Sequence, residues 1–268
     1  MYLVIVNYNN SSFTKLLLES IFSHYQSTNL ELAVVVVDNA SQHDDYGKLQ
    51  LICCSYSNVT LLQSEVNLGY FGGLNFGLAS LSLKESDYVI VGNNDLTFAV
   101  DFFSVMLRKN YADDILVIAP NIITSDGYHQ NPHCLLRVSK FRKFLYDIYF
   151  FNFLSSRILT WVSKILKKIK GGRLNKLSGV SRFIHMGIGA CYVLTPAFFK
   201  SFPRLDDSVF LYGEEALLAG QVMSVNGKTF YDVDLVVRHA ESATLSKYPS
   251  RTTYGYMKKS YPIYRKYL

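Results

Sequence analysis

Four apolar runs in the first half of the chain, at residues 3–6, 33–37, 88–91 and 115–119, are continuous rather than alternating. A strand with one face in water alternates apolar and polar residues, whereas a strand covered on both faces does not. A further short strand is expected at 59–62. The intervening stretches 13–25, 45–56, 74–83 and 102–110 can be wound as helices; in the first, Leu16, Leu17, Ser20, Ile21 and Tyr25 fall on one face. This alternation predicts an α/β chain with a Rossmann-like, mostly parallel sheet covered by helices on both faces. Ligands of such sheets lie beyond the carboxyl ends of the strands.

With 268 residues, 49% of them apolar, the chain can bury one sizeable core. A single domain over 1–268 is expected, with a first half at 1–120, an insertion at 121–186 and a second half at 187–268. After Pro120 the rhythm breaks into a loop-like stretch, 121–132. Structure resumes at 187–195, followed by a helix over 213–225, strands near 230–232 and 235–238, and a basic, tyrosine-rich tail over 254–268. No apolar run reaches the roughly 18–20 residues of a membrane-spanning helix. The start, Met1 to Val6, has no basic lead and no small-residue cleavage site, so no signal peptide is expected. Cys53, Cys54, Cys134 and Cys191 form no CxxC pair, which points to a reducing, cytoplasmic compartment.

Polar residues stand at the predicted strand ends: Asn7 after the first, Asp38 after the second, and Asn93-Asn94-Asp95 after the fourth. A lone acid there is often a helix or turn cap. Three such ends brought to one edge make a site. The first strand is followed by Asn7-Tyr8-Asn9-Asn10 rather than G-x-G-x-x-G, which disfavours a dinucleotide enzyme, and no P-loop occurs. Gly187-Ile188-Gly189 is only a fragment of a glycine fingerprint.

Four motifs appear in order: Val4-Ile5-Val6-Asn7-Tyr8-Asn9, Val36-Val37-Asp38-Asn39-Ala40-Ser41, Asn67-Leu68-Gly69-Tyr70-Phe71-Gly72-Gly73-Leu74-Asn75-Phe76-Gly77, and Gly92-Asn93-Asn94-Asp95. With Phe210-Leu211-Tyr212-Gly213-Glu214-Glu215 and Val237-Arg238-His239, they resemble glycosyltransferase family 2, in its rhamnosyltransferase-like branch, with the GT-A fold. The resemblance covers most of the chain outside 137–182.

That resemblance implies an inverting transfer of a sugar from a nucleotide-sugar donor to a growing surface glycan, such as capsule or O-antigen, on a lipid-linked acceptor. Asp38 would recognise the donor base or ribose, with Asn7, Asn67, Asn75 and Asn94 as further donor-side residues. Asn93-Asn94-Asp95 occupies the D-x-D position, so Asp95 would be the one carboxylate on Mg²⁺ or Mn²⁺, joined by His239. Such hard cations favour oxygen ligands and keep positions open for phosphate. Glu214-Glu215 matches the family's acidic pair, with Glu215 as general base; Leu217 stands where a further acid is frequent. As plain helix-end residues, the two glutamates would merely complement the macrodipole. Rival readings are a catalytically silent nucleotide-sugar-binding protein and a nucleotidyltransferase. The latter usually carries a glycine-rich basic loop after its first strand, which residues 7–12 lack.

The net charge of +6 is concentrated: residues 137–182 hold twelve Lys/Arg and one acid, Asp147. Phe141, Phe144, Tyr149, Phe150, Phe151, Phe153, Trp161, Ile165 and Ile169 interleave with Arg142, Lys143, Arg157, Lys164, Lys167, Lys168 and Lys170. This pattern suits the surface of an anionic membrane, or else a solvated helix packed on the core. No nucleic-acid recognition fold accompanies it, so nucleic acid is not an expected partner. The expected location is cytoplasmic, peripheral on the inner face of the cell membrane.

Overall fold

A computed structural model describes residues 1–25, 31–170, 178–240 and 250–268. Strands β1 (Tyr2–Asn7), β2 (Ala33–Asn39), β3 (Val59–Ser64) and β4 (Val89–Asn93) alternate with helices α1 (Ser11–Tyr25), α2 (His43–Cys54) and α3 (Tyr70–Leu78). After β5 (Leu96–Phe98) come α4 (Phe102–Arg108), β6 (Ile115–Thr124), α5 (Lys140–Phe151) and α6 (Phe153–Lys170). The rest comprises β7 (Arg182–Ile184), β8 (Cys191–Leu194), α7 (Pro196–Ser201), α8 (Glu214–Ser224), β9 (Lys228–His239) and α9 (Arg251–Tyr264), then a 3-10 turn at Arg265–Tyr267.

One sheet runs β3-β2-β1-β4-β8-β6-β9-β5, with β7 also paired to β9. The first four strands are mutually parallel, as their continuous apolar runs predict. Strand β8 lies antiparallel between β4 and β6, so the second half of the chain is threaded into the middle of the sheet. Val34, Val36 and Val37 have no exposed surface, because α1 and α2 cover one face and α3 the other. Helix α3 lies unusually close to the sheet: a Cβ on Gly77 would run into Val4, and one on Gly73 would crowd Val6. Its glycines, four residues apart on one helical face, are what this approach requires.

Several boundaries differ from the sequence reading. Residues 121–124 belong to β6 rather than to a loop, so β6 crosses the expected boundary at residue 120. The expected strands at 230–232 and 235–238 are one strand, β9, with an irregularity: Pro120 pairs with Asp232 and Asn121 with Val236. Proline cannot donate to the ladder, so the pairing breaks beside it. The tail is the helix α9, whose N-cap Ser250 accepts from the Thr253 amide. Helix α3 begins four residues before the expected 74, at Tyr70. Residues 171–177 of the basic stretch, and the side chains of His24, Lys167, Lys168, Ile169 and Lys170, lie outside those described.

Candidate active site

The carboxyl ends of β1, β2 and β4 meet in a closed polar network. Asn7 has no exposed surface; its Nδ2 donates to Asp38 Oδ1 (3.1 Å), Ser41 Oγ (3.2 Å) and Asp45 Oδ2 (3.1 Å). Its Oδ1 accepts from Thr14 Oγ1 (3.1 Å) and Asn94 Nδ2 (3.0 Å). Asn94 also donates to the Asn10 carbonyl and Thr14 Oγ1. Asp38, likewise without exposed surface, accepts from the Ser41 amide (3.1 Å) through its other oxygen. These groups are satisfied internally, as buried polar groups must be. Asn7, Asp38 and Asn94 therefore brace the strand ends and the 39–41 turn, where direct contact with a donor was expected. Asp45, which also accepts from the Ser11 amide at the start of α1, belongs to the same network and went unread in the sequence.

The other donor-side asparagines are occupied too. Asn75 forms a two-way pair with the backbone of Leu205, donating to its carbonyl and accepting from its amide, both at 2.9 Å. That pair ties α3 to the chain before α8. Asn67 Oδ1 accepts from Asn39 Nδ2 (3.1 Å) and from the Gly69 amide (2.9 Å), which shapes the turn into α3.

Asp95 and His239 do converge. Register pairing sets Leu96 of β5 opposite His239 of β9, and Asp95 Oδ1 lies 3.1 Å from His239 Nε2. Asp95 Oδ1 is buried without a hydrogen bond. His239 Nδ1 lies 2.9 Å from Gln130 Oε1, which orients the ring. A carboxylate oxygen and an imidazole nitrogen held this close in a buried site are a donor set that suits a divalent cation. One carboxylate and one imidazole, with the neighbouring Asn93 amide 3.5 Å from Nε2, leave most coordination positions for a substrate. Among the described residues no group of three or more His, Cys, Asp or Glu side chains is placed to hold a metal. The stretch at 129–132, given no role in the sequence reading, supplies Gln130 here; its Asn131 Oδ1 also accepts from the Ile188 amide.

The acidic pair opens helix α8. Tyr212 and Gly213 both adopt positive φ, 68° and 108°, which bends the chain sharply into α8. A Cβ on Gly213 would run into the Tyr264 ring, so glycine is needed there. Glu214 is only 6% exposed, and burial, then the neighbouring Glu215, pushes its carboxyl up to about 8. Glu215 points the other way: its Oε1 accepts from the Gly189 amide at 3.2 Å. Tyr70 donates to the Gly189 carbonyl at 2.8 Å, so Gly189 is held from both sides. Burial, then the neighbouring Cys191, Glu214, Glu215 and Asp95, raises the Tyr70 phenol. Gly189 and Tyr70 went unassigned in the sequence, although both lie in glycine-containing stretches that it singled out.

Glu215 opens into a cleft of about 320 Å³ walled mainly by Tyr146, Tyr149 and Phe150 of α5 and by Met257 and Tyr264 of α9. Its aromatic walls and the Glu215 carboxylate suit a hydroxyl-bearing ring whose apolar face lies on tyrosine.

The family model described as Glycosyl transferase family 2 matches residues 2–168. Among solved structures, the chain is similar to TarS 1–349 of S. aureus (10% identity, TM-score 0.54), covering 89% of this chain and 60% of that one. It is also similar to GalNAc-T7 with UDP, GalNAc and Mn²⁺ (15%, TM-score 0.57, 97% and 47% covered). A third is the mannosyltransferase PcManGT from Pyrobaculum calidifontis in complex with GDP-Man and Mn²⁺ (13%, TM-score 0.55, 91% and 57%). At these identities the likeness shows the fold, which is GT-A. The chain spans about half to three fifths of the length of these structures. No curated protein matches it.

Proposed function

The chain belongs to glycosyl transferase family 2, and from that premise we propose that it performs an inverting transfer with Glu215 as general base. The observation that carries this reading is the position of Glu215, held by the Gly189 amide and open to the aromatic cleft. An acceptor hydroxyl seated there gives its proton to Glu215 as its oxygen bonds to the anomeric carbon of the donor sugar. The bond from that carbon to the nucleoside diphosphate breaks, and its electron pair leaves with the diphosphate. Glu214, with its raised pKa, keeps its proton near neutral pH and adds no second charge beside the base. Asp95 and His239 would hold Mg²⁺ or Mn²⁺, which supplies charge neutralisation for the departing diphosphate.

The donor is a nucleotide-sugar of hexosyl or rhamnosyl type, a reading supported by the UDP and GDP-Man in similar folds. Residues 1–120 form its binding half, and 187–268 the catalytic and acceptor half. Asp38, Asn7, Asn67, Asn75 and Asn94 serve the donor by shaping the loops around it. The acceptor is a growing, lipid-linked surface polysaccharide such as capsule or O-antigen, met at the inner face of the cell membrane. No described helix is long and apolar enough to cross a membrane.

The test is release of nucleoside diphosphate from a panel of nucleotide-sugars with Mn²⁺ or Mg²⁺, with and without glycan acceptors. Donor binding without any turnover would leave a catalytically silent binding protein. Release of pyrophosphate from a nucleoside triphosphate and a sugar phosphate would point to a nucleotidyltransferase instead.

A further inference from the structure

We propose that α5 and α6 dock the protein on an anionic phospholipid surface, so that the cleft at Glu215 receives its acceptor from that surface. The proposal rests on the reading of the cleft as the acceptor site, and extends it to how the acceptor arrives.

Helix α5 has two opposite working faces. Tyr146, Tyr149 and Phe150 face the cleft, and Phe150 stacks on Tyr261 of α9 with ring centroids 4.3 Å apart. Phe141, Phe144, Ile148 and Phe151 are exposed, Phe141 by 70% and Phe151 by 75%. At about 100° per residue these four fall within about 80° of arc, opposite the cleft face. Helix α6 repeats the arrangement. Leu154, Ile158, Trp161, Val162 and Ile165 are exposed, Trp161 by 59%, while Ser156 is buried. Those five span about 100° of arc, with Ser156 on the far side. Two packed helices thus present two apolar stripes that stay exposed among the described residues.

The charge around the stripes selects the occupant. Lys140 is exposed on the flank of the α5 stripe and Arg157 beside the α6 stripe, while Arg142 turns to the other face, its guanidinium 5.7 Å from the Tyr146 ring. The one acid in the segment, Asp147, is taken by Arg265, with contacts of 2.6 and 2.5 Å, and by the Tyr261 hydroxyl. A second copy of the chain would bring the same positive rim against itself. Nucleic acid would use the cations but gain little from nine exposed apolar side chains. An anionic bilayer uses both, taking the stripes into its acyl boundary and the cations at its headgroups. The helices lie on such a surface, since neither is apolar enough to span it.

The chain has one tryptophan, Trp161, and it lies on the α6 stripe, so its fluorescence reports insertion directly. With vesicles of mixed phosphatidylglycerol and phosphatidylcholine, emission should shift to the blue and the protein should co-sediment. Pure phosphatidylcholine, or high salt, should weaken both, because screening shortens the reach of surface charge. The double substitution Phe144→Ser, Phe151→Ser should lower vesicle affinity about tenfold or more. It should leave thermal stability and turnover of a soluble acceptor unchanged, while slowing turnover of an acceptor anchored in the vesicles. Three results overturn the proposal: no shift and no sedimentation by the wild-type chain at low salt, vesicle binding indifferent to the double substitution, or a stable dimer with Trp161 already shielded in the absence of vesicles. Vesicle binding requires no catalysis. Docking that survives when Glu215→Gln leaves transfer intact would therefore sink the catalytic reading alone.

Discussion

Glu215 and Gly189 form the joint between the two halves of the site: the Gly189 amide donates to Glu215 Oε1 at 3.2 Å, just ahead of the central strand β8. A Cβ on Gly189 would crowd that carboxylate. One residue thus fixes the direction of the proposed base, and its carbonyl accepts from Tyr70, so its backbone is held from both sides. Holding a side chain in one direction limits its drift, and positioning is a large part of catalytic advantage.

Glu215→Gln keeps size and can still accept from Gly189, but cannot take a proton. Turnover should fall by about 10²–10⁴, with donor affinity little changed. Glu214→Gln should cost less, since the buried Glu214 is already held neutral. Steady-state kinetics on both variants decides the matter. A larger loss from Glu214→Gln would place the base one residue earlier, and no more than a few-fold loss from either would make the pair structural.

Stability should carry the signature of Glu214. Its carboxyl is raised from 4.5 to about 8, so between those pH values the folded chain holds a proton that the unfolded chain has released. Stability from this group is therefore full below the lower value and is lost as pH rises through the upper one. Thermal unfolding of the wild-type chain should show this fall, and Glu214→Gln should flatten it. An unchanged pH profile in the variant would show that Glu214 ionises normally.

The Asp95–His239 pair should govern the metal. Asp95→Asn should abolish the Mn²⁺-dependent part of donor binding measured by titration calorimetry. Gln130 orients His239 through Nδ1, so Gln130→Ala should weaken Mn²⁺ binding by about 10–100-fold, the usual cost of losing such a supporting contact. Equal Mn²⁺ dependence in wild type and Asp95→Asn would remove the assignment.

Asp38 tests whether the buried network or a direct contact serves the donor. Asp38→Ala leaves the Ser41 amide without its acceptor, and should cost about 1–3 kcal/mol in urea unfolding. Donor affinity should fall together with stability. Lost affinity at full stability would instead mean that the carboxylate reaches the donor itself.

The sequence by itself determined the α/β frame, because continuous Val-rich runs can only be satisfied between two layers of helix. It also marked the strand ends, whereas the close seat of Gly73 and Gly77 on the sheet came only with the fold, since the expected helix began after Gly73. The tertiary structure decided which polar residues face inward. Asn7, Asp38 and Asn94 are donor-side residues by the family resemblance, and only the fold shows that their partners come from segments distant along the chain, such as Ser41, Asp45 and Thr14. Only folding brings Gln130 to His239, Gly189 to Glu215, and α5 to α9 around the cleft. Periodicity records how a residue sits within its own element. It holds no record of which distant backbone amide, carbonyl or ring will meet that residue, and those meetings separate a bracing residue from one that faces substrate.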